Sequence, residues 1–119
     1  MKYLCLIYEN EAQGAALPEA DMQTMMAEYM AYSENLAKQG HMLAGEGLQP
    51  TATATTVRVR GGKASTTDGP FMETKEQLGG FYLIEAKDLN EAIAVAAKIP
   101  AARTGCVEVR PVVDFSQQP

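Results

Sequence analysis

Glu108 and Arg110 stand two residues apart in the run Cys106-Val107-Glu108-Val109-Arg110, whose alternation is that of a β-strand. A period of two places Cys106, Glu108, Arg110 and Val112 on one face and Val107, Val109, Pro111 and Val113 on the other. Charges on an internal strand need partners, because an unpaired buried charge is costly. Glu46, on a strand interrupted by glycines, and Asp68, Glu73 and Lys75, around a stiff turn, are the residues able to supply them. An apolar cleft with a few such convergent charges is what a small-molecule site looks like. The same constellation can equally be a structural ion-pair network that fixes the register of a dimer. The ligand-binding candidates are therefore Glu46, Asp68, Glu73, Lys75, Glu108 and Arg110.

For proton transfer the candidates are Asp68 and His41, the single histidine. His41 follows a helix stop at Gly40, where a solvated histidine is common, so a surface role stands beside the catalytic one. One histidine leaves little room for Ser-His or Cys-His nucleophile pairs. Cys5 and Cys106 are the only cysteines, and there is no Cys-x-x-Cys spacing, so no zinc ligand set is evident and no cofactor is implied. Both cysteines lie in strand-like apolar runs and are expected to be buried thiols. Gly79-Gly80 precedes a strand and lacks a following Lys-Ser or Lys-Thr, which excludes a phosphate loop.

These groups must be carried by a single domain, since the chain has 119 residues. Its formal net charge is −5, which argues against nucleic acid as a partner, because phosphate contacts need clustered Lys and Arg. The apolar opening Met1 to Tyr8 is too short for a signal-peptide core or a membrane span, so a cytoplasmic protein without a membrane partner is expected.

The elements follow from periodicity and punctuation. Residues 2–8 read as a strand that is apolar on both faces, so both faces need cover. A loop runs from Glu9 to Leu17. Pro18 then fits the first position of a helix of roughly 20 residues that ends at Lys38. Its methionines, Met22, Met25, Met26 and Met30, are read as core filler. Residues 41–48 form a second strand, in which Gly45 and Gly47 signal a bulge or a close approach. Thr55–Arg60 and Lys63–Thr67 flank the tight turn Gly61-Gly62 as a half-exposed hairpin. Gly80–Ala86 is a central strand. Asp88 and Glu91 cap a second helix with Leu89, Ala92, Ile93, Ala96 and Ala97 as its buried stripe. Cys106–Val113 is the last strand. Residues 1–115 make up the domain and 116–119 a loose tail. The tyrosines can line a pocket, although aromatic core is the plainer role for most of them.

Between the hairpin and the central strand lies Asp68-Gly69-Pro70-Phe71. Asp68 is expected to hold this corner by accepting backbone N–H groups, Pro70 to stiffen it and Phe71 to pin it into the core. The corner would then deliver Glu73 and Lys75 to the mouth of a cleft.

The order strand, helix, strand, hairpin, strand, helix, strand is the α+β ferredoxin-like βαββαβ pattern with an insertion. Covering the second apolar face with another copy of the same sheet predicts a homodimer. The Asp68-Gly69-Pro70-Phe71 corner with Glu73, Lys75, Glu76 and Leu78-Gly79-Gly80-Phe81-Tyr82 resembles the DGPF branch of the YCII-related family. The opening Met1 to Tyr8 and the run from Pro100 through Gly105 to Pro111 extend that resemblance over nearly the whole chain. It implies a ferredoxin-like fold that dimerises as an α/β barrel. It leaves two functional classes open: a dimer binding a small organic molecule in an inter-sheet cleft, with weak acid–base chemistry, and a non-catalytic regulatory module associated with sigma factors. Some members of the wider family are proposed to use a histidine near the start of the first helix. Pro18 to Met30 contains none, so the resemblance does not carry that activity here.

Overall fold

The computed structural model describes residues 1–117. Four antiparallel strands, β1 (Lys2–Glu9), β2 (Met42–Gly47), β5 (Gln77–Glu85) and β6 (Cys106–Pro111), form a sheet in the order β2-β5-β1-β6. Helices α2 (Glu19–Lys38) and α3 (Leu89–Ala96) connect them, and a short helix α1 (Glu11–Ala15) precedes α2. Between β2 and β5 the chain inserts a separate hairpin, β3 (Thr55–Arg60) and β4 (Lys63–Asp68). This is the ferredoxin-like α+β arrangement with an inserted hairpin.

Each connection has a local cause. Asn10 accepts the Gln13 N–H at 3.0 Å and starts α1 inside the stretch expected to be a loop. Pro18 sits just before α2 as its cap, one place earlier than expected, with Glu19 and Asp21 in the positive first turn. At the far end His41 N–H donates to Leu36 O and Gly40 N–H to Ala37 O, with Gly40 at φ 78°, the left-handed Schellman stop. Asp88 accepts the Glu91 N–H at 2.9 Å, and the Glu91 carboxylate accepts the Lys87 N–H, closing the start of α3.

The core lies between the sheet and the two long helices. Tyr3, Cys5 and Ile7 of β1 and Tyr82 and Ile84 of β5 face Leu36 of α2 and Ala92, Val95 and Ala96 of α3. Tyr32 stacks edge-on against Tyr82 with centroids 5.3 Å apart, and its hydroxyl donates to Val95 O at 2.7 Å. The alternate residues Leu4, Leu6, Phe81 and Leu83 point to the other face, which carries no helix and leaves them half-buried.

Several expectations are corrected by this packing. The methionines of α2 are not core: Met22, Met26 and Met30 are exposed, because Leu36, Tyr29 and Tyr32 turn the adjacent face inward. On α3 the buried stripe is Ala92, Val95 and Ala96, whereas Leu89 and Ile93 face solvent. The expected last strand stops at Pro111, and β6 is an edge strand, not an internal one. Cys106, at the start of that edge, is exposed; only Cys5 is buried. Burial pushes the Cys5 thiol up to about 11. The hairpin is exposed along both strands, with Thr56 alone half-covered. Phe71 is 74% exposed, since the corner belongs to the base of the hairpin and no core lies beneath it. The corner is held by backbone groups: Gly69 N–H donates to Ala54 O at 2.7 Å and Thr56 Oγ1 to Gly69 O at 2.8 Å. No hydrogen bond to the Asp68 carboxylate occurs among the described residues, so the proposed Asp68 cap is not made.

Candidate functional site

Where α1 and the middle of α2 face the β2–β5 edge, the helix side of the sheet opens into a cleft of about 500 Å³. Its origin is legible in the strands. Gly47 pairs with Gly80 and Gly45 with Tyr82, so two neighbouring strands present bare backbone where side chains would otherwise fill the space. The approach is tight enough to require glycine. A Cβ at Gly80 would stand 2.8 Å from Glu46 O, and one at Gly45 would stand 2.8 Å from the Tyr82 ring. Gly79 lies at the bulge between β1 and β5, opposite the step from Ile7 to Tyr8.

The walls are largely apolar: Ile7, Met42, Leu48, Pro50 and the rings of Tyr29 and Tyr82. Two hydroxyl pairs supply polar handles. Tyr29 donates to Glu9 Oε1 at 3.5 Å, and Ser33 Oγ lies 2.8 Å from the Tyr82 hydroxyl. Burial, reinforced by the Glu9 carboxylate, pushes the Tyr29 hydroxyl well above the usual tyrosine range, which keeps it a donor at neutral pH. Glu11 is committed to the rim: its carboxylate accepts Thr51 N–H and Thr51 Oγ1, both at 2.8 Å, while its own N–H donates to Gln77 Oε1 at 2.9 Å. Gln77 in turn donates to Thr74 O at 2.6 Å. The first residue of α1 thus ties both ends of the hairpin insertion to the cleft mouth.

The charge of the lining is one-sided. Glu9 and Glu11 bring carboxylates to the cleft, Glu46 borders it from a strand position paired with Phe81 of the open face, and no lysine, arginine or histidine is among its lining residues. Among the described residues no group of His, Cys, Asp and Glu is placed to hold a metal ion. Ser33 has a tyrosine partner and no histidine, so no activated hydroxyl nucleophile is assembled there.

Of the residues singled out from the sequence, Glu46 borders this cleft, with its backbone carbonyl against Gly80 and its side chain on the face it shares with Phe81. Glu108 and Arg110 do meet, Arg110 Nε donating to Glu108 Oε2 at 2.9 Å, but on the open face of the sheet, where Tyr8 also donates to Glu108 at 3.3 Å. Asp68, Glu73 and Lys75 are exposed at the hairpin base and in the segment after it. His41 lies at the far end of α2, lining a separate cavity of about 280 Å³. Its Nδ1 is 2.7 Å from Glu85 O and 4.0 Å from the Glu91 carboxylate, with no contact to Asp68 or Glu46. One chain therefore does not gather the predicted set into one place. Glu9 and Ser33 were missed, and Tyr29 and Tyr82 entered only among the tyrosines able to line a pocket, although the glycine pairs that make room for a ligand stand in the sequence as Gly45, Gly47, Gly79 and Gly80.

No helix among the described residues is long and apolar enough to cross a membrane. The YCII-related domain matches residues 1–116. An uncharacterized protein of Rhizobium meliloti (strain 1021) is 37% identical over 114 residues, covering 94% of this chain and 92% of its own length. With the ferredoxin-like order of elements already established, these matches place the chain in the YCII-related family.

Proposed function

We propose that the protein binds a small organic molecule, neutral or cationic, in the glycine-floored cleft between α2 and the β2–β5 edge. The observation that carries this reading is the lining itself: about 500 Å³ of mostly apolar wall with the carboxylates of Glu9 and Glu11 and no cation. That volume lies within the ordinary range for small-molecule pockets. An anion entering it would meet only like charge, whereas an amine would find Glu9 beside the Tyr29 donor. Any acid–base step in the cleft falls to Glu9, because Glu11 is occupied by Thr51. This reading puts the ligand on the helix side of the sheet, a different place from the inter-sheet cleft expected from the sequence.

The half-buried apolar row Leu4, Leu6, Phe81 and Leu83 supports a homodimer packed through the open sheet face, with Glu108 and Arg110 at its margin. Titration calorimetry with matched aryl-alkyl amines and aryl-alkyl carboxylates tests the ligand reading. The amine should bind, and Glu9→Gln should weaken it about tenfold, the scale of one charge-assisted hydrogen bond. Binding of the carboxylate alone, or no dependence on Glu9, would refute it.

A further inference from the structure

The hairpin β3–β4 is the least supported part of the molecule. Its strands pair only with each other, and neither packs substantially on any other element. A two-stranded ribbon standing alone in water is marginal and gains stability from a surface to lie on. One of its sides carries Val57 and Val59, 62% and 59% exposed, with Ala64 opposite Val59, Thr66 opposite Val57 and Asp68 at the base. Arg58, Arg60 and Lys63 project from the ribbon, and Asp68, paired with Thr55 at its base, is its one carboxylate. The rest of the chain holds the remaining seven cations against fourteen carboxylates, so a +2 ribbon is attached to a body of −7.

A matching surface exists on α2. Met22, Met26 and Met30 are 47%, 66% and 65% exposed and repeat every four residues along one stripe. Glu19 precedes the stripe by three residues and Glu34 follows it by four, so helical spacing puts a carboxylate at each end. Successive methionines rise about 6 Å along the helix. Val57 and Val59 are about 6.7 Å apart along the strand. The two apolar rows therefore match in spacing, and their charges are opposite.

We propose that the β3–β4 ribbon docks on the methionine stripe of α2 of a second copy of this chain. Val57 and Val59 lie on Met26 and Met30, and the long Arg58, Arg60 and Lys63 side chains reach around the ribbon to the flanking carboxylates. This contact is separate from packing through the open sheet face and does not require the ligand cleft.

The test is a crosslink between differently tagged copies, in a Cys106→Ser background where the remaining Cys5 is buried. Val59→Cys is mixed with Met26→Cys under mild oxidation. A parallel mixture uses Ala31→Cys, an exposed position elsewhere on α2. The Met26→Cys mixture should form the mixed disulfide, and the Ala31→Cys mixture should not. Adding Arg58→Glu and Arg60→Glu should cut the yield about tenfold, as should raised salt. All these positions are exposed, and unchanged thermal midpoints would confirm folding. Equal crosslinking at Ala31→Cys, or none at either position, overturns the proposal. So does an absent crosslink combined with Arg58- and Arg60-dependent binding to duplex DNA or anionic vesicles, which would assign the ribbon to another surface. Glu9→Gln should leave the crosslink unchanged, which separates failure here from failure of the ligand reading.

Discussion

The two faces of the central sheet are built from alternate residues of the same strands and have different fates. Tyr3, Cys5 and Ile7 are 2%, 0% and 6% exposed beneath the helices, whereas their neighbours Leu4, Leu6 and Tyr8 remain half-exposed on the other side. The same holds on β5, where Tyr82 and Ile84 are buried and Phe81 and Leu83 are not. Hydrophobic alternation within one chain would make one face polar. Here both faces are apolar and one is covered. No helix among the described residues covers the second, and the covered face is the place where a cavity can be enclosed.

The strongest test of that contrast is a pair of substitutions at adjacent positions. Ile84→Ala removes a fully buried side chain and should cost roughly 2–5 kcal/mol in urea unfolding. Leu83→Ala, one residue away, should cost much less in dilute solution, and its cost should grow with protein concentration as self-association contributes. Equal costs at all concentrations would remove the difference between the faces.

Next in size is Gly80→Ala. Its methyl would meet the Glu46 carbonyl, a backbone atom that cannot swing aside, so about 1–3 kcal/mol should be lost along with the shape of the cleft. Wild-type stability with Gly80→Ala would mean that the β2–β5 edge is looser than described.

A smaller effect concerns alkaline pH. The Cys5 thiol is raised by burial from 9.0 to about 11, so the folded state holds its proton more tightly than the unfolded chain. Stability from this group is complete below about pH 9 and is lost as pH rises through about 11. The buried Tyr29 and Tyr32 hydroxyls, raised chiefly by desolvation, act in the same direction. Thermal midpoints should therefore fall above pH 9, and a flat or rising profile would contradict this. The smallest change is expected for Phe71→Ala, within about 0.5 kcal/mol in dilute solution, because the ring is 74% exposed.

What could be read from the sequence divides along the same line. The element order, the Asp88 cap, the Gly40 stop and the Gly61-Gly62 turn were legible because each is a local rule with one outcome. The buried stripe of α3 was misjudged because Leu89, Ala92, Ile93, Ala96 and Ala97 make as good a helical pattern as Ala92, Val95 and Ala96. The choice is made by where Tyr32 and the sheet lie. Phe71 and the α2 methionines were read as core on hydrophobicity alone, which cannot distinguish a residue packed at home from one left for a partner. In the cleft, the glycines announced a close approach. That Glu9 and Tyr29 would meet across it depends on how α2 crosses the end of β1, which no spacing encodes.

The most direct test of the ligand reading is amide chemical-shift mapping during titration with an aryl-alkyl amine. The largest shifts should fall at Gly45, Gly47, Gly79 and Gly80, saturate, and shrink in Glu9→Gln. Shifts confined to Leu4, Leu6, Glu108 and Arg110 on the open face, or no saturable shifts in the cleft, would contradict it.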